Sequence, residues 1–177
     1  PLIDENEDKA IKIATELIDT FGEKYEEKWL NMMRNKLGLL GVDSKDKLLI
    51  VDLLTWMHQK KADYTNTFCH LMDLKDYDND LYKDNNFQRW KKNWQERLKL
   101  GNSTQEKYIS LMRTVNPLVI PRNDKVEKTL ESAEKEDYIF LKKIISALKK
   151  PYELSDEKHD YQNPDPQQKN YQTFCGT

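Results

Sequence analysis

No proline occurs between Leu2 and Asn116 in this 177-residue chain. Proline is the residue that most reliably breaks a helix, because it lacks an N–H and clashes with the preceding turn. A proline-free stretch of this length therefore favours helix after helix. The glycines within it fall where helices could stop. Ile11, Ala14, Leu17, Ile18 and Phe21 recur at helical spacing, with Gly22 expected as the residue just past the helix end. Tyr25, Trp29, Met32, Met33 and Leu37 make a second stripe, closed by Gly38. Asp43 or Ser44 is expected to cap a third helix over 48–57, apolar on most sides and hence the central, buried one. Asp63 is expected to cap a shorter helix over 64–71, and the acidic stretch 73–84 reads as a loop or a short helical turn.

The second half continues in the same way. Phe87, Trp90, Trp94 and Leu98 form a stripe that stops at Gly101. Ser103-Thr104-Gln105-Glu106 reads as a capping box opening a helix through Tyr108, Ile109 and Met112. Residues 116–121 cannot be helical throughout, since each proline pushes its predecessor to extended geometry. Asn123 is expected to cap a helix carrying Val126, Leu130 and Ala133, and Ile139, Phe140, Ile144, Ile145 and Leu148 mark another. From Pro151 onward, three prolines and scattered aromatics suggest an extended tail anchored by Tyr152, Tyr161, Tyr171 and Phe174. The expectation is an all-α fold: an irregular multi-helix bundle over residues 1–150, with an extended tail over 151–177 docked on the helices.

Composition removes several function classes. Lys+Arg 29 against Asp+Glu 31 gives a net charge of −2, without the cationic field of a general nucleic-acid binder. The longest apolar run, over 48–54, holds Asp52 and is too short to cross a bilayer. Two cysteines, Cys69 and Cys175, fit a reducing compartment, so a cytoplasmic location is expected. The chain starts at Pro1 without a methionine, which reads as a piece of something longer.

Candidate chemistry is sparse. Asp76-Tyr77-Asp78-Asn79-Asp80 has the opening spacing of a calcium loop, but Leu81 and Phe87 stand where glycine and the closing glutamate belong. His58, His70, His159 and the cysteines show no metal-ligand spacing. Arg89, Lys91, Lys92, Arg97 and Lys99 interleave with Trp90 and Trp94, yet aromatics on one helical face are what core packing produces. No phosphate-cradling or nucleophile-elbow motif occurs. The residues by themselves assign no catalytic, cofactor-binding or metal site.

Several segments together resemble the C-terminal part of the selenoprotein O family. Trp29-Leu30-Asn31-Met32-Met33-Arg34-Asn35-Lys36-Leu37-Gly38-Leu39 is similar to its Trp…Met-Arg-x-Lys-Leu-Gly-Leu segment, and Asp63-Tyr64-Thr65-Asn66-Thr67-Phe68 to its Asp-Tyr-Thr-x-Thr-Phe segment. Residues 87–97 resemble its Trp-rich helix. Asn116-Pro117-Leu118-Val119-Ile120-Pro121-Arg122-Asn123 resembles its Asn-Pro-x-x-x-x-Arg-Asn motif, and Pro151-Tyr152 the Pro-Tyr that follows. Phe174-Cys175-Gly176-Thr177 resembles the family terminus, where cysteine or selenocysteine stands third from last. Cys69 and Asp124 depart from the family's frequent Arg and His.

The resemblance implies a protein adenylyltransferase (nucleotidyltransferase) with a kinase-like, pseudokinase-type fold. Such a protein moves AMP from ATP to protein hydroxyls in AMPylation, using magnesium. The phosphate-gripping and metal-binding residues would lie in an upstream kinase-like domain acting in cis, and protein substrates would be the other partners. ATP and Mg would therefore belong to the parent protein and not to this segment. For this chain only Cys175 inherits a role, as a redox or disulfide partner of the catalytic domain, with a Cys69–Cys175 bridge as the rival pairing. Neither a nucleic-acid partner nor a membrane is expected. Read from the residues alone, Asn116, Arg122, Asn123 and Asp63 cap helices and form turns. The alternative to a support for an upstream enzyme is a stand-alone helical interaction module.

Overall fold

Side-chain caps decide where several of the helices begin. The computed structural model describes residues 2–72, 79–101, 104–153 and 159–163, with His159 and Asp160 described by their backbone alone. Among these residues the regular structure is helical, with no strand, as an all-α chain requires. Helix α1 (Glu7–Asp19) starts at Asn6, whose Oδ1 accepts the Lys9 N–H at 3.0 Å. Helix α2 (Phe21–Lys36) follows after the single residue Thr20. Gly22 thus lies inside a helix and does not end one. Thr20 stays right-handed: its N–H closes α1 on Glu16 O at 3.2 Å, and its carbonyl opens α2 by accepting from Lys24 at 3.2 Å.

Gly38 does end α2. It has φ +69°, and the Leu39 N–H reaches back to Arg34 O at 2.9 Å while the Gly38 N–H meets Asn35 O at 3.1 Å. That pair of bonds is a Schellman motif, which favours glycine because a left-handed residue with a Cβ is strained. A Cβ there would also lie 2.8 Å from Tyr108 Cβ, so the glycine permits close packing by a later helix.

Helix α3 (Asp46–Lys60) is capped by neither Asp43 nor Ser44. Lys45 occupies the cap position, and Asp43 Oδ1 instead accepts the Lys45 N–H at 2.8 Å in a local turn. Nor is α3 buried all round. Ile50, Leu53, Trp56 and Met57 are buried, while Leu48 and Val51 face outward at 63% and 41% exposure. Its neighbours cover one side only, so the apolar run supplies more hydrophobic surface than the bundle uses.

Helix α4 (Tyr64–Leu71) begins where expected: Asp63 Oδ1 accepts the Asn66 N–H at 2.8 Å. A 3₁₀ turn at Asp80–Lys83 falls within the stretch read as loop or short turn, and residues 73–78 lie outside the described residues. Helix α5 (Asn85–Leu100) is capped by Asp84, whose Oδ1 accepts from Asn86 and Phe87. Helix α6 (Gln105–Val115) has Thr104 as its cap, accepting from Lys107 at 3.4 Å. The cap thus falls one residue later than read, with Lys107 where a capping box needs Glu or Gln, and Ser103 lies outside the described residues. Helix α7 (Asn123–Ala133) takes Asn123 as its first residue, with extended Arg122 in the cap position. A guanidinium has no acceptor to offer the first helical N–H groups, so that cap has no side-chain bond. Helix α8 (Ile139–Lys149) follows, and within the stretch expected to be extended His159–Gln162 form one helical turn, α9.

The core lies where α3 packs on α5 and α2 packs on α3 and α6, while α7 packs on α8. Leu37, Ile50, Leu53, Phe87 and Met112 are fully enclosed. An aromatic ladder runs through it: Tyr82 to Phe87 at 5.2 Å, Phe87 to Trp90 at 5.7 Å, Trp90 to Trp94 at 6.0 Å, and Trp94 edge-on to Tyr108 at 5.9 Å. Each buried indole has an acceptor for its N–H, as burial demands. Trp90 Nε1 donates to Leu49 O at 2.8 Å, Trp94 Nε1 to Leu37 O at 2.9 Å, and Trp56 Nε1 to Asp84 Oδ1 at 2.9 Å. Leu118 and Val119 are buried in the non-helical segment, and both of their N–H groups point at the Pro151 carbonyl. Of the aromatic anchors, Tyr161 is buried and Tyr152 exposed, and Tyr171 and Phe174 lie outside the described residues. Helix α1 buries no residue at all.

Trp94→Ala should cost about 3–5 kcal/mol, the usual loss for a fully buried tryptophan. Urea unfolding followed by circular dichroism checks this, and an unchanged midpoint would remove Trp94 from the core.

Candidate functional site

Two clusters of charge lie below the surface. The first centres on Asp46, whose side chain is wholly buried in the first turn of α3. Arg34 Nε from α2 donates to Oδ2 at 2.7 Å, and Arg97 Nε from α5 donates to Oδ1 at 2.7 Å. The Asp43 N–H adds a third donor at 3.0 Å. Arg97 Nη2 also donates to Asp46 Oδ2 at 3.3 Å, its Nη groups meet the Leu40 and Gly41 carbonyls at 3.2–3.3 Å, and Arg34 Nη1 meets Asn31 Oδ1 at 3.0 Å. Burial pushes the Asp46 carboxyl upward, but the Arg97 and Arg34 hydrogen bonds outweigh it and hold the group below its ordinary value. Beside this cluster an open groove of about 340 Å³ runs between α3 and α5, with Asp43, Asp52 and Glu96 on its walls.

The second cluster centres on Arg122. The extended backbone of Arg122 carries the guanidinium back across the start of α4. Its Nη1 and Nη2 take the two oxygens of Asp63 at 2.7 and 3.1 Å, a bidentate pair. Nη2 also meets Asn66 Oδ1 at 3.0 Å, and Nε and Nη2 both donate to Gln162 O, at 2.9 and 2.6 Å. Asn66 Nδ2 then reaches Asn163 Oδ1 at 2.8 Å. Asp63 thus caps α4 and anchors Arg122 at once, and Arg122 fastens residues 162–163 to the bundle.

Asn116, at the head of the same proline segment, donates through Nδ2 to Lys36 O at 2.8 Å. Lys36 in turn lies over the Phe68 ring at 4.7 Å and the Tyr64 ring at 5.3 Å, and burial lowers its pKa. Cys69 is buried, with its Sγ 3.6 Å from Pro117 O. Cys175, the candidate redox residue, lies outside the described residues, as does most of the acidic run 76–80. Trp90 and Trp94 are enclosed and offer no face to a base.

Asp63 and Arg122 belong together, a pairing 59 residues apart that their separate readings as caps did not connect. Arg97, grouped by sequence with the exposed basic residues of α5, is an internal ion-pair partner. Its signal was its position on the Trp90, Trp94, Leu98 face. Asp46 also stands on the apolar face of its helix, four residues before Ile50, and a charge in that position needs an internal partner.

Residues 7–149 match the family model described as Protein adenylyltransferase SelO. Among curated relatives, the Protein nucleotidyltransferase YdiU of Pelagibacter ubique is 48% identical over 178 residues, matching 100% of this chain and 37% of its own length. The proteins of the same name from Bacillus cytotoxicus and Clostridium perfringens are 41% and 42% identical, over 100% of this chain and 36% of theirs. The chain thus spans little more than a third of the relatives it matches.

Two outcomes follow from the clusters. The depressed carboxyls of Asp46 and of Asp84, the latter held at about 2 by Lys60 and the Trp56 N–H, favour the folded state fully above their ordinary values near 3.8. That contribution is lost as pH falls below 3.8 toward about 2, so stability should drop steeply there. Asp46→Asn with Asp84→Asn should flatten this acid limb in urea titrations at successive pH values; an unchanged slope would mean the pairs do not form in solution. Arg122→Ala should cost about 2–3 kcal/mol, the range for charge-assisted hydrogen bonds lost at a half-buried carboxylate. A double-mutant cycle with Asp63→Asn checks it, and additive losses would exclude a direct pair.

Proposed function

The chain belongs to the SelO family of protein adenylyltransferases, and we propose that it is the helical support of such an enzyme. In this reading it packs against, and helps regulate, a kinase-like domain in the same polypeptide that transfers AMP from ATP to protein hydroxyls. One observation carries the supporting role: the segments that resemble the family are consumed in joining helices. Arg34 ties α2 to α3, Trp94 ties α5 to the end of α2, and Asn116 ties the proline segment to α2. Arg122 ties α4 to residues 162–163. None of these side chains is left to meet a substrate.

The described residues do not fit ATP or Mg. The Asp46, Asp63 and Asp84 carboxylates are each engaged by arginine or lysine, and no three His, Cys, Asp or Glu side chains among the described residues converge. No step of AMP transfer is therefore routed through them. ATP and magnesium belong to the remainder of the polypeptide, where transfer depends on positioning and charge neutralisation.

Cys175 is the regulatory element of this reading. Its thiol and a thiol of the catalytic part lose two protons and two electrons to a small-molecule disulfide, forming a bridge that restrains activity. Cys69 is a poor rival because its sulfur is enclosed under Pro117. Among the described residues no helix is long and apolar enough to cross a membrane, which is compatible with a cytoplasmic setting.

The test is AMP incorporation from labelled ATP. A polypeptide of the relatives' length should label protein hydroxyls in the presence of magnesium, and the 177-residue chain alone should neither label them nor bind Mg-ATP by calorimetry. Micromolar Mg-ATP binding by the short chain would overturn the division of labour. A long polypeptide inert toward ATP would overturn the activity.

A further inference from the structure

The arm formed by α1 and the first half of α2 carries an apolar seam that the bundle does not use. Ile11, Ile18, Tyr25 and Met32 stand seven residues apart, with Ala14 and Phe21 interleaved in the same repeat. Seven-residue spacing puts side chains on one stripe of a helix. The four are 58%, 72%, 61% and 46% exposed, and Phe21 is 66% exposed with its ring 6.1 Å from that of Tyr25. A single right-handed residue, Thr20, joins the two helices, so the seven-residue spacing is carried from α1 into α2. A 13-residue helix is marginal by itself in water, and α1 has no fully buried residue, with only Ala10, Ile13 and Ala14 half-buried. Exposed apolar residues scattered singly need no explanation, but a continuous periodic seam does.

A second copy of this chain is a poor occupant. The next interleaved position after Ala14 and Phe21 is Lys28, which would place a charge in the seam. The flanking positions are Leu17, Lys24 and Asn31 on one side and Thr15, Gly22 and Trp29 on the other. They offer none of the opposite charges that select a partner helix in a symmetric coiled coil. The polypeptide of the matched relatives, however, extends for nearly two thirds of its length beyond what this chain covers. The family match also begins at residue 7, the first residue of α1, so the arm is a family element.

We propose that the Ile11–Ile18–Phe21–Tyr25–Met32 seam is the face on which the nucleotide-transferring part of the same polypeptide docks. The proposal rests on the reading of the chain as one part of a SelO-type enzyme and specifies the surface that joins the parts. An apolar strip of the catalytic part lies along the seam, while Lys12, Glu16 and Glu23, off the stripe, remain in water.

Hydrogen exchange read by mass spectrometry tests this on the 177-residue chain and on a polypeptide of the relatives' length. Amides of residues 11–25 should exchange fast in the short chain and about tenfold or more slower in the long one. Ile18→Asp in the long polypeptide should restore fast exchange in α1 and leave α5 slow, and Ile11→Asp should do the same. Both positions are exposed in the bundle, so neither change threatens its core. Equal exchange of residues 11–25 in the two polypeptides would overturn the proposal. So would protection that appears only at concentrations where sedimentation shows a dimer, which would make a second copy the occupant. Protection without AMP transfer would support the docking face and sink the proposed activity, whereas AMP transfer with an unprotected arm would do the reverse.

Discussion

A single carboxylate joins three helices. Asp46 opens α3 and is gripped by Arg34 of α2 and Arg97 of α5, and Arg97 also pins the turn at Leu40 and Gly41. A buried charge of this kind adds little net stability over an apolar filling, because desolvation offsets the attraction. Its consequence is directional. Two guanidinium groups and one carboxylate meet in one geometry, and a slip of α5 by a turn would strand charges out of water at several kcal/mol. The aromatic ladder of α5 is thereby placed in register with α2 and α6, and Trp94 can find the Leu37 carbonyl.

Arg122 repeats the device at the other side of the bundle with a different result. There the pair is partly exposed at Asp63, and the guanidinium spends two more bonds on a backbone carbonyl. A backbone acceptor does not depend on which side chain stands at residue 162. The contact therefore holds a path of the chain more than an identity. The first cluster sets how helices sit on one another, and the second sets where the chain goes after α8.

Much of the helical order was legible because its signals are local. The Asp63 cap, the Gly38 stop and the Phe87, Trp90, Trp94, Leu98 stripe each depend on residues within a turn or two. The errors arise where a local signal had two readings. Gly22 looked like a stop, but α1 already ends at Thr20 and Gly22 falls in the first turn of α2. The run over 48–57 looked like a buried helix, yet periodicity reports which face is apolar and not what covers it. The same limit applies to α1, whose stripe has no partner inside the bundle. The ion pairs were out of reach for another reason. Arg34, Asp46 and Arg97 lie 12 and 51 residues apart, and only their places on apolar faces hinted that each needed an internal partner.

The two indoles of α5 lie nearly parallel, at 7° between ring planes, with both N–H groups bonded to carbonyls. Rings fixed at this distance and angle couple their electronic transitions. Together with the other enclosed aromatic residues, they give the chain a near-ultraviolet dichroism signal that reports whether side-chain packing around α5 is fixed. Loosening of the packing that leaves the helices intact would weaken this signal while the far-ultraviolet one persists.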